Sequence, residues 1–130
     1  MKSRRGPMPA KKILIVDDQL EVRELVQVTL GAGDYQTHQA QNGREAIDRA
    51  RALRPDLIIL DVMMPGGIDG YEVCRTLKGD AATQGIRILM LTAKGQVTDR
   101  EKGLTCGADG YFVKPFSPLE LLNKIEDVLK

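Results

Sequence analysis

The sequence predicts a three-layer α/β/α sandwich built on a five-stranded parallel sheet. Short apolar runs alternate with segments of helical periodicity along most of the chain. Three of the runs, Ile13 to Val16, Leu57 to Leu60 and Ile88 to Leu91, are continuous, as strands covered on both faces by helices are. At 130 residues the chain fits one domain whose core needs no disulfide or metal staple.

Strands are expected over 12–17, 35–40, 56–61, 86–92 and 109–113. The first helix carries a stripe of Val22, Leu25, Val26, Thr29 and Leu30, the second Ala46, Ile47 and Ala50, the third Val73, Cys74 and Leu77. The segment 96–106 offers only Val97 and Leu104 as strong apolar anchors, which predicts the most weakly docked helix. The last helix has the firmest boundary. Ser117-Pro118-Leu119-Glu120 supplies an N-cap, a proline at the first helical position and a capping-box glutamate; Leu121, Leu122, Ile125, Val128 and Leu129 follow on one face. Strands and helices in alternation imply parallel pairing, with a ligand site outside the carboxyl ends of the strands.

Composition excludes several functions. Net charge is +1, and residues 1–12 contain five Lys/Arg and no acid, so the remainder is mildly acidic. A disordered basic tail over 1–10 and a domain over 11–130 are expected, with no output domain within these residues. The acidic body argues against direct nucleic-acid binding. The apolar runs are too short to span a bilayer and no secretory signal opens the chain, so a cytoplasmic location away from membranes is expected. Cys74 and Cys106 lack zinc spacing, and Cys74 reads as a buried reduced thiol. His38, the single histidine, reads as an exposed side chain on an edge strand.

The predicted strand ends collect chemistry. Asp17-Asp18, Asp61, Thr92 and Lys114 each close or directly follow an apolar stretch, so a parallel sheet brings them to one edge. Carboxylate oxygens suit Mg²⁺, a hard cation that keeps several waters. Clustered carboxylates without a cation repel one another and hold protons more tightly. A lysine and a hydroxyl beside them can neutralise and bond a phosphoryl group. Any one of these residues has a plain alternative as a helix cap or solvated charge; their joint placement points to a site.

Val16-Asp17-Asp18, Leu60-Asp61-Val62-Met63-Met64-Pro65, Asp69-Gly70, Leu91-Thr92-Ala93, Gly107-Ala108-Asp109 and Lys114-Pro115-Phe116 follow in order at set intervals. With these motifs the chain resembles the receiver domain of bacterial two-component response regulators over about residues 11–130. The resemblance implies a flavodoxin-like fold with strand order 2-1-3-4-5 and a phosphorelay role. Asp61 is then the phosphoacceptor, fed by a sensor histidine kinase or phosphotransfer protein. Asp17, Asp18, Asp61 and the Met63 backbone carbonyl hold Mg²⁺, with Mn²⁺ as an alternative. Ala93 and Lys114 bind the phosphoryl group, and the bond from Lys114 to Pro115 is cis. Thr92 and Tyr111 form the switch pair. Signal leaves toward a protein target or second copy through the surface of the fourth helix, fifth strand and fifth helix. The domain then catalyses only its own phosphorylation and slow dephosphorylation.

The chain departs from the family's pattern once: Asp69 lies eight residues after Asp61, where the family has seven. The extra residue falls in Pro65-Gly66-Gly67-Ile68, where glycines tolerate the required backbone angles. Lys94 and Met63 are expected to tune phosphoryl lifetime. Three other readings stay open. A flavin-binding module would share the fold, but Asp17-Asp18 would repel its phosphate. A phosphohydrolase resembling the haloacid dehalogenases would carry an acid where Met63 stands. A scaffold receiver would not need the full acid, hydroxyl and lysine set. A stand-alone regulator and a domain of a longer protein would read alike.

Overall fold

The computed structural model describes residues 10–31, 34–64, 66–93, 106–114 and 116–130. Its strands are β1 (Lys11–Val16), β2 (Tyr35–Ala40), β3 (Leu57–Asp61), β4 (Arg87–Ala93) and β5 (Gly110–Lys114). They form one sheet in the order β2-β1-β3-β4-β5, with every pairing parallel. The chain winds outward from β1 to β2, then crosses back to β3. The switch in direction therefore lies between β1 and β3, where a crevice opens at the carboxyl ends.

Alternation divides the continuous apolar runs between two faces. Leu14, Val16, Ile58, Leu60, Ile88 and Met90 pack on one side with α2 (Gly43–Leu53) and α3 (Gly70–Lys78). Ile13, Ile15, Leu57, Ile59, Leu89 and Leu91 pack on the other with α1 (Leu20–Leu30) and the C-terminal helix (Pro118–Leu129). Most of the largest fully buried side chains belong to β1, β3 and β4. Each stabilises the fold by roughly 1.5–3 kcal/mol, so these strands are firm mounts for whatever stands at their ends.

The helix boundaries follow their capping residues. Asn42 and Asp69 accept from the Glu45 and Glu72 amides at 2.8 and 2.9 Å, and Ser117 accepts from the Glu120 amide at 3.1 Å as the sequence predicts. In α1, Val26, Thr29 and Leu30 are buried and Val22 packs beside them, but Leu25 is half exposed. It sits at the rim of the buried arc rather than within it.

His38 corrects the expectation of an exposed side chain. It shares the β2 face with buried Ala40, on the side covered by α2, and its Nε2 is buried with no hydrogen-bond partner among the described residues. Cys74 is buried as expected; its thiol donates to the Cys106 carbonyl at 3.4 Å, and burial pushes its pKa upward. The expected helix over 96–106 lies, apart from Cys106, outside the described residues, as do Lys94, the bond into Pro115 and residues 1–9 of the expected tail.

The amino ends of the strands are stapled. Asp56 Oδ2 accepts from the Lys12 amide at 2.8 Å. Asp109 Oδ2 accepts from the Ile88 amide at 2.8 Å and from Lys78 Nζ at 2.9 Å. Asp109, the last residue of the Gly107-Ala108-Asp109 motif, thus locks β5 to β4 and α3.

Candidate metal and phosphoryl site

Sheet register delivers the charged residues to the opposite, carboxyl edge. Asp17 and Asp18 lie just past β1 rather than within it, while Asp61 and Lys114 are the last residues of β3 and β5. Asp17 is held at four atoms. Its amide donates to the Ala40 carbonyl at 3.2 Å, extending the β1–β2 ladder. Its Oδ1 accepts from the Gln19 amide at 2.9 Å, its Oδ2 from Lys114 Nζ at 3.2 Å, and its carbonyl from Arg23 Nη1 at 2.7 Å.

Lys114 is the one ammonium bonded to this cluster among the described residues. Its Nζ lies 3.2 Å from Asp61 Oδ1 as well as 3.2 Å from Asp17 Oδ2. Carboxylate oxygens of Asp17, Asp18 and Asp61 come within 4.8 Å of one another. Asp17 and Asp61 are buried, whereas Asp18 is exposed. Asp18 and Asp61, with Met63 and Lys114, line a cleft of about 230 Å³, and Asp17 lies buried beside it.

The charges do not balance. Burial raises the Asp61 pKa from 3.8 to about 6; the Asp17 charge adds to the rise, and Lys114 only partly opposes it. For Lys114, burial favours the neutral amine, but Asp61 and Asp17 outweigh it and raise the pKa. One lysine for three carboxylates leaves net negative charge in a half-closed cleft. That surplus, offered entirely by oxygen atoms, fits a small divalent cation such as Mg²⁺.

Two groups without a role in the sequence reading build this edge. A side chain at Gly70 would place its Cβ against the Asp61 carbonyl and 2.9 Å from Val62 Cα. Only glycine lets α3 begin so close to β3, where the Gly70 amide donates to the Val62 carbonyl at 2.9 Å. The Asp-Gly pair entered the sequence reading only as part of the family motif, which carries no sign of this approach. Arg23 was hidden because its partner is a backbone carbonyl, which carries no sequence signature.

The remaining expected residues stand nearby. Thr92 is buried on β4 beside Leu91, the register partner of Asp61, and Ala93 is in register with Lys114. Tyr111 is half-buried lower on β5, in register with Met90, and packs on the core that includes Leu14 and Leu60. Gly66 and Gly67 both adopt positive φ, at 94° and 84°, in the loop carrying the extra residue.

The response regulator receiver domain family matches residues 13–126. The chain belongs to that family. As a receiver domain it is a phosphoacceptor signalling domain rather than an enzyme acting on external substrates, and it implies a cognate histidine kinase. Its triad Asp17, Asp18 and Asp61 is typical of a receiver's Mg²⁺ site. Among curated relatives, it is 44% identical over 119 residues to transcriptional regulatory protein ResD of Bacillus subtilis, covering 92% of this chain and 48% of that protein. It is 45% identical over 127 residues to phosphate regulon transcriptional regulatory protein PhoB of Pseudomonas aeruginosa, covering 95% and 53%. The chain thus spans about half the length of these relatives. Chemotaxis response regulator CheY4 of Vibrio cholerae superposes with a TM-score of 0.86 at 37% identity, covering 92% of this chain and 99% of that one. Among the described residues, no helix is long and apolar enough to cross a membrane.

Proposed function

We propose that this receiver domain takes a phosphoryl group from a kinase phosphohistidine onto Asp61 and uses it as a switch. The supporting observation is the cleft itself, where a buried carboxylate lies 3.2 Å from one lysine and beside two further acids. An Asp61 oxygen attacks phosphorus, the bond from phosphorus to histidine nitrogen breaks, and the phosphoryl group remains as an acyl phosphate. Lys114 neutralises the incoming charge, since its Nζ is already bonded to the accepting carboxylate. Asp17, Asp18, Asp61 and the Met63 carbonyl would hold Mg²⁺, Asp17 while its carboxylate also accepts from the Gln19 amide and Lys114. When bound, the cation shields the carboxylates and draws charge off the transferring oxygens.

The switch reading rests on placement. Thr92 stands one residue beyond the register partner of Asp61, so a short movement offers its hydroxyl to the phosphate, with the Ala93 amide following. Space vacated by Thr92 admits Tyr111 inward, converting charge into packing. Exposed Val113 and Leu119 support an output face along β5 and the C-terminal helix toward a protein target or second copy. Residues 11–130 form the domain that does this. The activity of any longer protein containing them is set by what that face contacts.

The test is incubation with acetyl phosphate and Mg²⁺ followed by intact-mass measurement. Wild type gains one phosphoryl mass and Asp61→Asn gains none. Equal labelling of the two proteins, or no labelling of wild type by either donor or cognate kinase, removes the reading.

A further inference from the structure

Arg23 sits one turn into α1 and does not line the cleft, yet its guanidinium is tied to the acidic loop. Nη1 donates to the Asp17 carbonyl at 2.7 Å while Nε donates to Gln39 Oε1 at 3.0 Å. Gln39 Nε2 donates to Gln27 Oε1 at 2.6 Å, and Gln27 Nε2 reaches Thr37 Oγ1 at 3.3 Å. One side chain thereby couples α1, β2 and the turn between β1 and α1.

The importance of that carbonyl lies in the peptide it belongs to. A peptide unit is planar, so holding Asp17 O also holds the plane that ends at Asp18 N and Cα. Asp18 is the exposed member of the triad, and its carboxylate has no bond among the described residues. Its direction is set by its backbone. The Asp17 side chain already bridges Asp18 by accepting from the Gln19 amide at 2.9 Å, but Gln19 at the N-cap adds no side-chain capping bond. Arg23 adds a second clamp, on the carbonyl side of the same turn, from within the helix.

We propose that Arg23 is a positioning residue for the divalent cation: it fixes the Asp17–Asp18 peptide so that Asp18 borders the cleft, and Gln39 holds Arg23 in that pose. This rests on the reading of Asp17, Asp18 and Asp61 as the cation site. Charge and geometry predict opposite signs. By charge alone, a guanidinium beside an acidic site weakens cation binding, so its removal would tighten it. By positioning, removal weakens it.

Isothermal titration of unphosphorylated full chain with Mg²⁺ separates the two. Arg23→Ala should bind about tenfold more weakly than wild type, the lower end of what is lost when a group supporting a metal ligand is removed. Arg23→Lys should weaken binding too, because an ammonium keeps the charge but lacks the planar fork that serves Asp17 O and Gln39 together. Gln39→Ala should fall between these and wild type. Acetyl phosphate labelling of the Arg23 variants should return to the wild-type rate at saturating Mg²⁺, since Asp61 and Lys114 are untouched. Circular dichroism and the thermal midpoint identify a folded variant, and Arg23→Lys serves if Arg23→Ala does not fold. Unchanged or tighter Mg²⁺ binding in the folded variants overturns the proposal alone. So does a labelling defect that persists at saturating Mg²⁺. A wild type that binds no Mg²⁺ overturns the site reading and this proposal with it.

Discussion

The two edges of the sheet carry the same residue types and treat them in opposite ways. At the amino edge, Asp56 and Asp109 each meet a backbone amide at 2.8 Å, and Asp109 also meets Lys78 at 2.9 Å. Each of these carboxylates is bonded locally and outside the acidic cluster. At the carboxyl edge, Asp17, Asp18 and Asp61 crowd together and share Lys114. One edge spends its charges on holding strands together; the other leaves negative charge in excess. Aspartate at a strand end is therefore no sign of function by itself. What distinguishes the site is the lack of enough local partners for the charge gathered there.

If that contrast is real, neutralising an acid should have opposite consequences at the two edges. The largest effect is expected for Asp109→Ala, which leaves the Ile88 amide without its acceptor and Lys78 without its carboxylate. Loss of about 2–4 kcal/mol in urea denaturation is expected, with labelling of the folded protein intact. A loss below about 0.5 kcal/mol would mean that the staple contributes little.

Gly70→Ala comes next and probes how tightly the site is built. Its Cβ meets backbone on β3, so α3 or the end of β3 must shift, at a cost of about 1–3 kcal/mol. Because the displaced backbone carries Asp61, acetyl phosphate labelling should slow as well. Full stability with full labelling would show that α3 can retreat without disturbing the site.

Asp61→Asn should do the reverse of Asp109→Ala. Free of metal, folded Asp61 titrates near 6, above its ordinary 3.8. The folded state therefore holds the proton more tightly than the unfolded state. Stability from this group is fully present below about pH 4 and is lost as pH rises through about 6. At neutral pH the ionised carboxylate is a liability, and Asp61→Asn should stabilise the metal-free protein by about 1–2 kcal/mol, discounted for solvent screening. Denaturation at pH 7 and pH 4 checks the sign: the gain should fade at the lower pH. The smallest effect belongs to Gly67→Ala, which meets no neighbouring atom but must hold φ near 84°, for about 1 kcal/mol.

Most of this contrast was half legible in the sequence. Continuous runs such as Leu57 to Leu60 reveal strands buried on both faces, and a parallel sheet then carries their trailing residues to one edge. That reasoning reaches Asp17, Asp18, Asp61 and Lys114, which the structure brings together. It does not distinguish strand-end Asp56 or Asp109 from Asp61 by physics, because the partners of the first two include backbone amides distant in sequence. Backbone partners also hid Arg23 and the close approach at Gly70. His38 was misread for a related reason: the polarity of β2 suggested exposure, while α2, from the next segment of chain, covers that face. Leu25 failed by its position on the helix rim, where apolar identity alone does not decide burial.

The carboxyl edge gathers negative charge that a cation can offset, and the amino edge does not. Carboxyl ¹³C resonances followed through a Mg²⁺ titration at pH 7 test this contrast most directly. Asp17, Asp18 and Asp61 should shift together along one binding curve, while Asp56 and Asp109 stay in place. Shifts shared equally by both edges, or resonances of the triad that ignore Mg²⁺, would contradict it.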